Sequence, residues 1–350
     1  MSALIVLALG FVVILLGAEL FTNGIEWVGR KLDLAEGAVG SVLAAVGTAM
    51  PETMIPLVAI LLGGGTHDEV GLGAILGAPF MLATLAMFVT GVAVIAYRSR
   101  RRTGTDLDID AGVVGKDVRF FALAYAIAIG AAFVPLDWWP ARPAVAVFLL
   151  LLYGFYVRAH FAAETAAGAG GDLAPLRFHR LDRQGRRLDP VVPRLRIVGF
   201  QVVAAMACIV GGAFVFVDAV SNLSTGLGIG AAVLALVIAP VATELPEKFN
   251  SVLWIRQGKD TLAMGNITGA MVFQACVPTV VALLFAPEQW VIGRGSYLVF
   301  VSAAIAFVAT AAVFLPMARR ARLTARGLLA GGVFYVAYIG VVAWAVGTGA

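Results

Sequence analysis

Two short segments of this chain set a proline directly before a glutamate inside otherwise apolar sequence: GTAMPET, from Gly47 to Thr53, and VATELPEK, from Val241 to Lys248. A charged side chain at membrane depth is costly, and where one occurs it marks a functional site by default. Proline has no N–H and disrupts the bond to the carbonyl four residues earlier. Pro51 therefore releases the carbonyl of Gly47, and Pro246 that of Ala242. Free carbonyls beside Glu52 and Glu247 form a group of hard oxygen donors, and a hard cation such as calcium takes about six to eight of them, several charged. Thr48 and Thr243 lie one turn before the two glutamates and can add hydroxyls on the same helical face. A carboxylate can hold either a proton or a metal ion, and competition between the two is a minimal mechanism of exchange.

The two segments are copies. One uniform shift lays Thr48 on Thr243, Pro51 on Pro246 and Glu52 on Glu247 with no gap. Upstream, GAELFTNGIEWVG from Gly17 falls on GAFVFVDAVSNLS from Gly212, so Asn23 meets Asp218. Downstream, GLGAILGAPF from Gly71 resembles AMGNITGAMVF from Ala263 after a short deletion. Apolar residues lying over apolar residues would mean little. The pattern T-x-x-P-E, twice in register, is a specific signal of an internal repeat.

The elements that must carry these segments are membrane helices. Of 350 residues, 61% are hydrophobic and 13% charged, whereas a soluble domain carries about 25% charged residues. The apolar residues gather in ten runs, 2–28, 36–62, 70–97, 118–135, 143–159, 196–221, 228–254, 261–286, 296–317 and 326–347, and about 20 such residues span a bilayer as a helix. Of the 25 Lys and Arg residues, all but Arg142, Arg294 and Lys248 fall in or beside the odd-numbered connections, which contain GRKLD, RSRRRTG, RFHRLDRQGRR, RQGKD and ARRAR. The positive-inside rule puts those connections in the cytoplasm and both termini outside a cell (inner) membrane. Five spans separate each element from its copy, so the second copy enters the membrane from the opposite side, a plan common among secondary transporters. The expected fold is an all-α polytopic membrane protein of ten transmembrane helices. They form two inverted-topology five-helix repeats, 1–160 and 196–350, joined by a polar cytoplasmic linker, 161–195.

Other features narrow the function. The N-terminus MSALIVLALG has no basic n-region and reads as a first span. Cys208 and Cys276 lie in apolar runs and read as small packing residues. The net charge of +4 is sorted by topology, so no nucleic-acid partner is implied. The expected partners are inorganic cations and the lipid bilayer, with the chain acting alone or as a homo-oligomer. The three histidines fall in loops without metal-ligand spacing, and no cofactor is expected. An intramembrane protease is disfavoured, because no histidine-based metal motif and no mid-span aspartate pair is present.

The second repeat carries extra charge. Glu244 and Lys248 are four apart and can pair along one helical face. With Glu52, Glu244 and Glu247 ionised and Lys248 charged, two negative charges remain, which suits one divalent cation. Alternatively, Lys248 takes the space of a coupling cation, or the pair is a structural salt bridge. Ser251 and Gln274 are expected to line the site, with Asn250, Asn266 and Thr268 nearby. Asn23 and Asp218 fit an access path or interfacial solvation equally well.

GTAMPET and VATELPEK, each followed by a Gly-rich helix start, resemble the two α-repeats of the calcium/cation antiporter superfamily, which includes sodium/calcium and calcium/proton exchangers. The resemblance covers both repeats and the ten-span plan. It implies that Glu52 and Glu247 are central metal-binding residues, that Thr48 and Thr243 lie near the ion sites, and that the transported ions are calcium with protons or sodium. The second half of each repeat departs from the superfamily pattern G-S-N-x-x-N: the chain has GAPFML from Gly77 and GAMVFQ from Gly269. Pro79, Leu82, Met271 and Gln274 stand where polar residues help hold sodium, so the resemblance favours a proton as counter-ion. A non-transporting, ion-sensing or scaffold relative of the same fold is the alternative that the lost polar positions motivate.

Overall fold

In lipid each backbone polar group must find its partner within its own segment, so apolar runs become helices. The computed structural model describes residues 3–31, 49–63, 66–164, 174–181, 193–293, 295–320 and 322–348. The first span is α1 (Ala3–Lys31), and α2 (Met50–Leu62) is the described part of the second. The third consists of α3 (Thr66–Met81), a π-helical stretch over Leu82–Ala86, and α4 (Met87–Ala96). The fourth and fifth are α5 (Ala111–Gly130) and α6 (Ala141–Glu164). The sixth is α7 (Leu195–Leu227), and the seventh is broken into α8 (Ala231–Thr243) and α9 (Leu245–Arg256). The last three are α10 (Asp260–Phe285), α11 (Tyr297–Arg320) and α12 (Ala325–Thr348). Among the described residues, each of the ten expected spans contains helix.

Several helices run past their apolar stretches, the fourth and fifth spans among them. The fourth span begins at Ala111, well before the apolar run, because Asp110 caps it. The Asp110 carboxylate accepts from the N–H groups of Gly112 at 2.8 Å and Val113 at 3.2 Å, satisfying donors that a helix start leaves orphaned. The fifth span continues to Glu164, into the expected linker.

Helix registers follow the inverted plan. Along α1, Gly10, Gly17 and Gly24 meet α7 at Phe216, Ile209 and Val202 in turn, so the two helices run antiparallel. A side chain on any of the three would strike α7; a Cβ on Gly17 would lie 2.8 Å from Ile209 Cγ1. In contrast, Gly73 and Gly77 of α3 meet Ala232 and Leu236 of α8, so this pair runs parallel. Spans one and six are an odd number apart and spans three and seven an even number, as these directions require. The Gly73–Gly77 spacing lets backbones approach closely, as small-residue pairs do in membrane helices.

The connections sort into two ends. Residues of the third and ninth connections form a two-stranded antiparallel ribbon, β1 (Asp106–Leu107) with β2 (Leu323–Thr324). The third also meets the start of α10 through Arg101 and Asp260, and the fifth meets the end of α1 through Trp27. At the other end, Arg142 after the fourth connection donates to the carbonyl of Trp290 in the eighth, and Thr66 bonds Ser221. Odd connections thus touch odd, and even touch even. One apolar core joins α1 and α7 to α2, α3 and α8, and a second, larger one packs α3 to α6 against α9 to α12.

Candidate functional site

Both Pro-Glu segments start a helix in the same way. Ala49 precedes α2 with φ −83° and ψ 4°, and Glu244 precedes α9 with φ −85° and ψ 8°. Each is followed by a helix whose second residue is the proline, Pro51 or Pro246. There the missing N–H is one that a first turn leaves unpaired in any case. After the prolines the ladders resume alike: the N–H of Thr53 donates to Ala49 at 3.3 Å, and that of Lys248 to Glu244 at 3.1 Å. Glu52 and Glu247 therefore occupy the first turn of α2 and α9, where the helix dipole favours a carboxylate.

The four charged side chains are buried together. Glu52 is 5% exposed, Glu244 1%, Glu247 2% and Lys248 6%. The charges of Glu247, Glu244 and Lys248 all act on Glu52, so the two repeats bring their carboxylates into one electrostatic neighbourhood. α2 and α9 both pack on α10. Neither carboxyl oxygen of Glu52 has a hydrogen-bond partner, and neither does Oε1 of Glu244. Buried carboxylate oxygens are normally satisfied, and orphaned ones are what a cation or a proton would complete.

Lys248 donates through Nζ to Glu244 Oε2 at 2.8 Å and to the carbonyl of Pro240 at 3.2 Å. The i, i+4 pairing read from the sequence is formed. Among the described residues no three His, Cys, Asp or Glu side chains converge as one metal cage. Lys248 takes one oxygen of Glu244, and both oxygens of Glu52 stay open to a cation or a proton.

The remaining expected site residues divide. Gly47 and Thr48 lie outside the described residues. Ala242 is in the last turn of α8. Thr243 is buried, and its hydroxyl donates to the carbonyl of Ala239 at 3.0 Å, leaving its lone pairs as acceptors. The Ser251 hydroxyl donates to the carbonyl of Ala263 at 3.2 Å, tying α9 to α10. Gln274 is buried on α10 with its Oε1 unpartnered. Asn266 reaches the same region, donating to the carbonyl of Glu247 at 3.3 Å. Pro79, Leu82 and Met271 are buried and bring no side-chain oxygen.

Three polar clusters have no counterpart in the sequence reading. Asp117 of α5 accepts from Thr268 of α10 at 2.6 Å and from Tyr156 of α6 at 3.1 Å, and lies 2.9 Å from Nε2 of His160. His160 and His67 belong to helices α6 and α3, not to loops as expected, because α6 outlasts its apolar run and α3 starts at Thr66. Arg101 and Asp260 form a buried two-pronged ion pair at 2.7 and 2.6 Å. Asn23, expected at an access path or interface, instead anchors the linker: its Oδ1 accepts from the N–H of Arg177 at 3.0 Å and from Gln201 at 3.0 Å. Its repeat mate Asp218 lies exposed, 3.3 Å from His67. In sequence these partners are separated by long intervals, and only their polarity within or beside apolar runs marks them.

Comparison with known proteins places this arrangement. The sequence profile of the family described as sodium/calcium exchanger protein matches residues 2–161 and 198–347, one segment on each half. The chain is 24% identical over 345 residues to CaxA of Alkalimonas amylolytica, which bears the name of an antiporter, with 97% of each chain covered. Its fold matches the crystal structure of the H+/Ca2+ exchanger CAX with a TM-score of 0.72 at 16% identity, over 99% of this chain and 85% of that one. It also matches the sodium-calcium exchanger NCX_Mj with a TM-score of 0.56 at 16% identity, over 97% of this chain and 99% of that one.

Proposed function

The chain belongs to the sodium/calcium exchanger protein family, and from that premise we propose that it is a secondary active antiporter. It exchanges a divalent cation, calcium, for protons at a site built on Glu52 and Glu247. The observation that carries this reading is the Glu52 carboxylate: it is buried, orphaned on both oxygens, and faces the charges of the opposite repeat. Alternating access then exposes one pair of carboxylates to each side in turn, as inverted repeats with broken helices permit. Cargo and protons compete for the same oxygens, so loading one expels the other. Hydroxyl and carbonyl oxygens of Thr243, Ala242 and their repeat mates Thr48 and Gly47 complete the ligand set.

The proton is preferred over sodium because Pro79, Leu82 and Met271 leave apolar surface where further oxygen ligands would be needed. The odd-numbered connections face the cytoplasm of a cell (inner) membrane, by their basic charge. The test is flux in reconstituted vesicles across a panel of cations, with pH and sodium gradients imposed separately. Calcium uptake driven by a pH gradient, and lost in Glu52→Gln and Glu247→Gln, supports the reading. Transport that survives both changes refutes the site.

A second reading is a non-transporting relative that binds ions as a sensor or scaffold. The absence of a three-residue acidic cage among the described residues favours it. Calcium binding to the purified protein without any flux would select it.

A further inference from the structure

Lys248 places an ammonium where oxygen ligands meet. From the first turn of α9 its side chain reaches back over the break, to the carboxylate of Glu244 at 2.8 Å and the Pro240 carbonyl of α8 at 3.2 Å. The side chain is 7% exposed. In the other repeat the matching positions hold Thr53 and Ala49, joined by a bond of 2.9 Å from the Thr53 hydroxyl to the Ala49 carbonyl. The second repeat has thus gained one acid and one base at the same place. That change leaves the net charge of the site as it was but fills a position with fixed positive charge. A salt bridge whose only task is to hold a helix would be expected to satisfy both carboxylate oxygens. Here Oε1 of Glu244 is buried without a partner, and the pair acts electrostatically on Glu52. A carboxylate and a carbonyl at these distances are also the oxygen ligands that a dehydrated monovalent cation takes.

We propose that Lys248 is a tethered monovalent cation. It fills a subsite made by Glu244 and the Pro240 carbonyl, so that the protein moves its divalent cargo with no mobile sodium or potassium ion beside it. The proposal rests on the reading of Glu52 and Glu247 as the cargo site, and it assigns to Glu244 a different task from theirs. It follows that removing the ammonium while keeping the carboxylate opens the subsite to an ion from solution.

The test compares the full-length protein with Lys248→Gln and with the double variant Glu244→Gln/Lys248→Gln. In detergent, thermal unfolding is followed in sodium, potassium and choline chloride at matched ionic strength. A ligand that binds the folded state alone raises the midpoint. The expected result is a midpoint several degrees higher in sodium or potassium than in choline for Lys248→Gln, with no such difference in the wild type or the double variant. In vesicles, calcium flux of Lys248→Gln changes several-fold with external sodium or potassium, while that of the wild type is indifferent to both. A folded Lys248→Gln protein with no response to either ion overturns the proposal. Should that variant fail to fold, wild-type calcium flux that requires sodium or potassium, or is inhibited by either one, overturns it equally. A wild type that moves no divalent cation at all refutes the cargo reading instead, and the midpoint shifts still decide the subsite.

Discussion

Removing the carboxylate of Asp260 should destabilise the protein by about 3–5 kcal/mol, the cost of breaking a buried ion pair from one side. The structure sets the magnitude. The two side chains are 2% and 1% exposed, so solvent screening earns no discount. Both carboxylate oxygens are engaged by Arg101, at 2.7 and 2.6 Å, and Oδ2 also accepts from the N–H of Asp108 at 2.8 Å. After Asp260→Ala the guanidinium keeps its bonds to the carbonyls of Ile255 and Asp106, but its charge remains buried with no counter-charge. The ribbon next to Arg101 and the junction of α9 with α10 both depend on this point. Thermal unfolding in detergent reads the loss as a fall on the order of 10 °C. The double variant Arg101→Met/Asp260→Leu should fall by less than Asp260→Ala alone, because no stranded charge is left. An Asp260→Ala midpoint within a degree of the wild type would show that the pair is exposed in solution, and the reasoning would fail.

Further outcomes follow from the packing. Gly73→Leu should prevent assembly, because a Cβ there collides with the Ala232 carbonyl, whereas Gly265→Ala meets nothing within 4 Å and should be neutral to within about 0.5 kcal/mol; monodispersity by size-exclusion chromatography distinguishes the two. Asp117→Ala strands its partners Thr268, Tyr156 and His160 on two helices and should cost about 3 kcal/mol, read as a lowered unfolding midpoint. Asn23→Ala should free the segment around Arg177, and faster tryptic cleavage at Arg177 and Arg180 checks it.

Most of the fold was legible in the sequence, for identifiable reasons. Ten apolar runs and a sorted set of basic loops leave little freedom in lipid. The paired helix starts were legible because a proline beside an acid is chemically conspicuous, and its repetition in register at Pro51 and Pro246 gave the inverted plan. The Glu244–Lys248 contact followed from spacing on one helix. Long-range polar pairing did not follow from any spacing. Arg101 lies in a run of arginines that reads as a solvated loop, yet one of them is drawn inward to Asp260. Asp117 and His160 stand at the margins of their spans, where a charged residue ordinarily faces water. The tie from the Ser251 hydroxyl to the carbonyl of Ala263 joins two helices across 12 residues and was not legible either. Which partner a hydroxyl finds is decided by packing that periodicity does not encode.

The central claim is that one acidic side chain from each inverted half grips the same ion. Calorimetric calcium titration of purified Glu52→Gln, Glu247→Gln and the double variant tests it most directly. If the residues share an ion, either single change removes calcium binding and the double variant is no worse than either one. Single variants that each retain part of the binding, with losses that add in the double, would mean two separate sites and would contradict the account.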